Sequence, residues 1–378
     1  MHPTLAEPTT KEEWRAYINA VSPSPPQLPS HTDYQALAPA ARRRLDRLRH
    51  QHHSALVIIR TTRMQQLHHV IERRVHANAA QPAGARRSIV IDGPPTVGKS
   101  TLVKLFGLDL ERGLRTEYPE RFAPGYHVDG IMIDYTPVVY LSIPAQATPK
   151  DLSAALADFL GQPYRPRATK TEITNIALNA MKRCGVALII VDDVHFLDLS
   201  AKEGKLANDH LKDIANKCPV TFVFTGHDLE HSGLFLEGLA DAERATQTSG
   251  RNALHRLDKF KITTEAEQRE WAGTIMTMED SLLLYRHKPG TLLKHYRYLH
   301  DRTDGSICAL ADLIRESAIE AVMTGEEAIT KKLMDTIIIS KQAEAAYRRK
   351  LKLRTSKQRT STAEPEPAPA PAPAAAAS

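Results

Sequence analysis

The octapeptide Gly93-Pro-Pro-Thr-Val-Gly-Lys-Ser100 constrains the chain more than any other stretch. It fits GxxxxGK[ST], and each part of that pattern has a physical reason. Gly93 and Gly98 permit a tight loop whose N–H groups point at an anion, and the helix that follows offers its positive N-terminal end to the same anion. Lys99 reaches the β- and γ-phosphates, and the Ser100 hydroxyl ligates Mg²⁺. The stretch before it, "SIVID" (88–92), reads as a buried strand, and a helix is predicted from about Lys99. Strand, loop and helix in that order are the context the motif requires. The expected nucleotide loop is Gly93, Pro94, Pro95, Thr96, Val97, Gly98, Lys99, Ser100 and Thr101, with ATP and Mg²⁺ as cofactors. Pro94 and Pro95 remove two N–H donors, but the donors that matter most lie nearer Gly98.

An alternating pattern surrounds this loop. "TPVVYLSIPA" (136–145), "VALIIV" (186–191) and "PVTFVFTG" (219–226) read as further strands, and "LDKFKIT" (257–263) as a fifth. Amphipathic helical stretches such as "TKTEITNIALNAMKRCG" (169–185) separate them. Strands alternating with helices imply an α/β fold with a doubly wound parallel sheet. From Thr264 the strands stop and four helical patterns follow. The predicted organisation is a polar Pro-rich segment over 1–32 and a basic helical lead-in over 33–87. An α/β core over 88–263 follows, then a helical subdomain over 264–340. Residues 341–378 form a basic run and a Pro/Ala-rich tail that has almost nothing to bury.

Two acids end the third strand, in "VALIIVDDVHFL". Downstream of a phosphate loop, Asp192 is the partner of Mg²⁺ through water, and Asp193 is placed to orient or activate an attacking water. Without that loop, two acids at a strand end are a solvated turn or a helix cap. His195 either senses the nucleotide or simply packs. Thr225 ends the fourth strand, where it touches the γ-phosphate or the water, or merely terminates the strand; Asp228 is the second choice. Phosphoryl transfer also needs positive charge, worth on the order of 10³–10⁵ in rate when an arginine supplies it. Arg251 and Arg256, just before the fifth predicted strand, are candidates to act on a neighbouring subunit's nucleotide.

A net charge of +6 and a pI near 9.1 permit nucleic-acid binding without demonstrating it. The runs "ARRRLDRLRHQHH" and "YRRKLKLRTSKQR" are the candidate surfaces, the first also explicable as a solvated helix face. Cys184, Cys218 and Cys308 form no CxxC pair, which argues against a zinc site or disulfide framework. No apolar run approaches the roughly 20 residues a membrane helix needs, and no signal pattern opens the chain. The expectation is a cytoplasmic protein with no membrane partner.

With these elements in order, the chain resembles AAA+ ATPases: an AAA+ core followed by an α-helical lid. Within that superfamily it resembles the TniB/TnsC group of transposition regulators over roughly residues 50–340. The segments that carry this are "VVYLSIPAQATPKDLSAALADFLGQP", "TFVFTGHDLEHSGLF", "HKPGTLLKHYRYLHDRTDGSICALADLIRESAIEAV" and "EEAITKKLMDTI". The resemblance implies ATP binding, self-association into a ring or filament on double-stranded DNA, and recruitment or activation of a transposase or similar effector. Hydrolysis then lets the assembly come apart. The other readings are a nucleotide-gated scaffold with little hydrolysis, or an AAA+ module used in defence or signalling.

The sequence departs from the AAA+ pattern in two places. Asp193 stands where most hydrolysing relatives carry Glu. Its carboxylate starts roughly 1 Å short, and such a misplacement costs on the order of 10²-fold in rate. The expectation is therefore slow hydrolysis. After the turn "DGSICALADLIR" no arginine occupies the usual lid position, and Arg315 comes later in the same helix.

Overall fold

Short apolar runs build the centre of the molecule because each can be buried on both faces only between helices. The computed structural model describes residues 7–20, 24–55, 59–82, 86–144, 146–197, 202–229 and 252–361. Four helices come first: α1 (Lys11–Asn19), α2 (His31–Ala36), α3 (Pro39–Ser54) and α4 (Thr62–Ala79). Next are β1 (Ser88–Asp92), α5 (Lys99–Glu117), the short hairpin β2 (His127–Val128) and β3 (Ile131–Met132), and β4 (Val138–Ser142). Helices α6 (Pro149–Phe159) and α7 (Lys170–Arg183) lead to β5 (Leu188–Asp192), then α8 (Lys202–Lys217), β6 (Thr221–Gly226) and β7 (Asn252–Arg256). The rest is helical: α9 (Glu265–Asp280), α10 (Tyr296–Thr303), α11 (Ile307–Thr324), α12 (Lys331–Thr336) and α13 (Lys341–Ser361).

The five long strands form one sheet in the order β4-β5-β6-β1-β7, every pairing parallel. This is the α/β AAA+ core fold with a helical region after it. Local chemistry sets the helix starts. Thr148 with Asp151, Thr169 with Glu172 and Thr264 with Glu267 are reciprocal capping boxes at α6, α7 and α9. Pro149 occupies the first turn of α6, where its missing N–H has no cost.

The fifth strand differs from the sequence expectation. It is Asn252–Arg256, and residues 257–263 leave the sheet. The Leu257 N–H closes the ladder on the Asp92 carbonyl at 2.8 Å, whereas the Phe260 N–H goes to Gly305 at 2.9 Å. Leu257 belongs to the sheet core; Phe260 and Ile262 pack into a second apolar cluster with Trp271, Ile275, Leu310 and Leu313. The spaced apolar residues of "LDKFKIT" thus serve two cores, which imitates strand alternation. Arg256 consequently lies in the strand, not ahead of it. The basic run after Ala346 is also regular: it forms the body of α13. The Pro/Ala tail from 362 lies outside the described residues. Among the described residues no helix is long and apolar enough to cross a membrane.

The lead-in helix α3 is partly a structural strut. Arg49, with no exposed surface, donates to the Leu283 carbonyl at 3.0 and 2.7 Å and to Glu327 Oε1 at 3.0 Å. A buried guanidinium is tolerable only when its donors are met this completely. One turn on, buried His53 accepts the Leu283 N–H through Nε2 at 3.0 Å. Arg43, Arg44 and Arg47 of the same run stay exposed.

Burial, with His52 and Arg49 nearby, pushes the His53 imidazole down to about 3. The unfolded chain binds a proton near the ordinary value of about 6.5. Stability from this group is therefore complete above about pH 6.5 and is lost as the pH falls toward 3, by up to about 1.4 kcal/mol per pH unit. Urea unfolding at about pH 7.5 and pH 5 should show a flatter pH dependence for His53→Gln than for the parent. Equal slopes would contradict this account.

Candidate nucleotide site

The phosphate loop leaves β1 through a contact that admits only glycine. A Cβ on Gly93 would sit 2.1 Å from the Leu257 carbonyl oxygen. Gly98 has φ +90° and precedes α5, the left-handed corner that glycine adopts most readily. Thr96 also has a positive φ, +66°. The Lys99 ammonium is buried and donates to the Gly93 and Pro94 carbonyls, each at 2.8 Å. Burial lowers its pKa, and the charges of Asp192 and Asp193 oppose that shift. The lysine and both acids therefore share one electrostatic site. Two neutral carbonyls are weak acceptors beside a phosphate oxygen, which forms the stronger charge-assisted bond. Ser100 and Thr101 lie in the first turn of α5.

Asp192 has no exposed surface. Its Oδ1 accepts the Asp193 N–H at 3.0 Å and the Thr225 hydroxyl; its Oδ2 accepts the Tyr140 hydroxyl at 2.8 Å. Thr225 thus braces the acid from the neighbouring strand. Asp228 has φ +56° in the turn after β6. Asp193 is half-buried and left-handed, at φ +59° and ψ +35°. Short polar residues tolerate that region far better than long ones, so Asp fits this backbone where Glu is strained. Burial raises the Asp193 pKa, helped by Asp192 and by Glu7. A raised carboxyl is the better proton acceptor for water. His195 Nδ1 lies 3.8 Å from Asp193, and its ring tilts against His227 at 3.9 Å. Burial, then His227 and Lys99, push His195 down to about 4, so it is neutral near pH 7.

Several residues of the site carried no signal in the sequence. Asp92 is buried and accepts the Gly93 N–H at 2.8 Å and the Leu229 N–H at 3.2 Å, which fixes the loop's entry. Glu7, near the start of the chain, accepts from Lys104 at 2.6 Å and lies 2.7 Å from the Tyr140 hydroxyl oxygen, whose one proton it shares with Asp192. A cavity of about 190 Å³ opens beside Gly98 and Thr101, walled by Ile59, Met64, Val97, Phe260 and Ile307. An apolar slot next to an anion loop suits a flat nucleobase. Arg315 lines the same cavity, so this later lid arginine does reach the site, with Asp312 bonded at 2.9 Å. Arg256 lies on the edge strand beside Arg63 and Lys261, in a groove that adjoins that cavity at Arg63 and Asp258. Arg251 lies outside the described residues.

ATP with Mg²⁺ fits this arrangement. The test is the loop itself: a glycine corner too close to backbone for any Cβ, and a buried ammonium held only by neutral carbonyls. Lys99 and the loop N–H groups would hold the phosphates, and Ser100 with Asp192 would hold the ion. Mg²⁺ supplies charge neutralisation on the phosphates when bound.

Fold and site together describe a P-loop nucleotide-binding domain. Residues 83–234 match the family model of an AAA domain (AAA_22), a span that includes every strand from β1 to β6. Among solved structures the chain is similar to the Aeropyrum pernix ORC1 protein in complex with DNA: 17% identity, TM-score 0.51, covering 76% of this chain and 65% of that one. It is likewise similar to the Aeropyrum pernix ORC2 protein in its ADPNP–ADP complexes: 14% identity, TM-score 0.51, covering 74% and 67%. At these identities the likeness is one of fold. The chain thus spans about two thirds of their length, just under it for the first. No curated protein matches the sequence.

Asp193→Asn keeps a residue suited to the left-handed backbone and removes the proton acceptor. ATP turnover should fall on the order of 10²–10⁴-fold while ATP retention stays near the parent's. An Asn variant turning over at the parental rate removes Asp193 from the chemistry.

Proposed function

We propose that the protein is a Mg²⁺-ATP-dependent AAA+ switch that hydrolyses slowly, assembles on double-stranded DNA, and recruits or activates a transposase or similar effector. The observation that carries the ATP part is the convergence of Lys99, Asp192 and Asp193 beside an apolar cavity shared by core and lid. The place of Asp193, directly after the strand that ends in buried Asp192, supports hydrolysis over a scaffold that only binds. The DNA part is supported by fold likeness to a protein whose structure contains DNA, and by the basic helix α13. Arg348, Arg349 and Lys352 are exposed there along one groove. The transposition part is supported by the TniB/TnsC-like segments of strand β4 through α6 and of the lid. Assembly into a ring or filament would bring Arg251 or Arg256 toward a neighbour's nucleotide.

Electron microscopy of the protein with duplex DNA and a slowly hydrolysed ATP analogue tests the reading. Nucleotide-dependent rings or filaments on DNA are expected; monomers that leave DNA bare would reject it. Neutralising Arg348, Arg349 and Lys352 to Gln should reduce the slope of log K against log salt by about 2–3, since each phosphate contact contributes about 0.9. An unchanged slope would remove α13 from the DNA surface.

A further inference from the structure

A buried hydroxyl joins the phosphate loop to the lid. Ser306 is the N-cap of α11, and its Oγ accepts the Ala309 N–H at 3.2 Å. The same oxygen has one proton to give. It donates to the Thr96 carbonyl at 2.8 Å, with Thr96 Oγ1 at 3.0 Å. The Cys308 N–H, in the first turn of α11, points at the same carbonyl from 3.4 Å. Thr96 is the left-handed outer corner of the loop. The lid side of the contact is rigid. A Cβ on Gly305 would lie 2.2 Å from the Phe260 carbonyl oxygen, and Asp304 is paired with Lys259 at 2.8 Å and Lys350 at 2.9 Å.

We infer that Ser306 is a positioning residue for phosphate binding. Two of the loop's x positions are proline and offer no N–H, so phosphate recognition rests on the few donors after Thr96. The direction of those donors depends on how the Thr96 peptide is turned. A helix N-terminus with its cap hydroxyl grips that peptide's oxygen, so lid position sets the loop's readiness for phosphate. The inference rests on the nucleotide site above and adds a residue that no part of the P-loop motif contains.

The test separates phosphate recognition from general damage by comparing ADP with adenosine, which carries no phosphate. Ser306→Asp remains a good N-cap but has no proton to donate and sets a charge against the Thr96 oxygen. Ser306→Gly is the second variant, because glycine at a cap costs little and removes the hydroxyl altogether. Ser306→Thr retains both roles. Calorimetry on the full chain should show ADP affinity lowered about tenfold in the Asp and Gly variants, the loss of one hydrogen bond to a loop that must stay ordered. Adenosine affinity and the Thr variant should stay at parental values. Equal loss for ADP and adenosine, or no loss for ADP in either folded variant, overturns the inference. A parent chain that binds neither compound rejects the nucleotide site itself.

Discussion

A carboxylate with no access to water is costly unless every lone pair has a donor. Asp192 draws its donors from three adjacent strand ends: Tyr140 of β4, the Asp193 N–H just after β5, and Thr225 of β6. The pairing registers Leu141 with Val191 and Ser142 with Asp192 put these ends level. A slip of one residue in any of the three strands would turn the donors to the opposite face and strand the charge. The acid expected to face Mg²⁺ is therefore also the pin that holds the strand ends in line. The strand ends depend on the same two oxygens that are proposed to face the ion.

The second acid is held by a different logic. Side-chain length alone makes Asp193 a shortened Glu and hence a poor base. The backbone changes that comparison, because φ +59° at this position is a conformation in which Asp is at ease. The turn that follows tightens at once into a short 3-10 helix over Val194–Phe196. A carboxylate can reach a given point by a longer side chain on an ordinary backbone or by a shorter one on a turned backbone. For Asp193 the second course is the one its backbone allows.

The parallel sheet, the phosphate loop and most helix starts were legible in the sequence because they follow local rules. Alternation of strands and helices, a capping box at Thr148 and glycines at Gly93 and Gly98 are all short-range signals. The fifth strand was misread because Leu257, Phe260 and Ile262 are spaced like a strand while serving two different cores. Tyr140, Glu7 and Ser306 were invisible for a related reason. Each acts on a residue between 52 and 210 positions away in the chain, and no local pattern records such a partner. Arg315 shows the limit of motif registers: it stands later in the helix than the expected position, yet it lines the cavity beside the loop.

Described parts of the chain outside the AAA match bear on it at several points. Trp14, fully buried, stacks parallel to Tyr140 at 6.1 Å and donates to Glu111 of α5 at 2.8 Å. Gly107 of α5 leaves room for that indole, since a Cβ there would lie 3.0 Å from it. The N-terminal helix thus presses on the back of the helix that carries Lys99, and Glu7 reaches past it to the Asp192 brace. From the other side, Arg49 ties the lead-in to the lid, and Ser306 ties the lid to the loop. Asp304 joins that same turn to Lys350 of the basic helix. Any force on α13, the surface proposed for DNA, is then applied two residues from the hydroxyl that grips Thr96. Coupling between two sites is reciprocal in binding free energy. If an anion drawn to α13 alters the turn, nucleotide in the loop must alter the hold of α13 on that anion by the same factor.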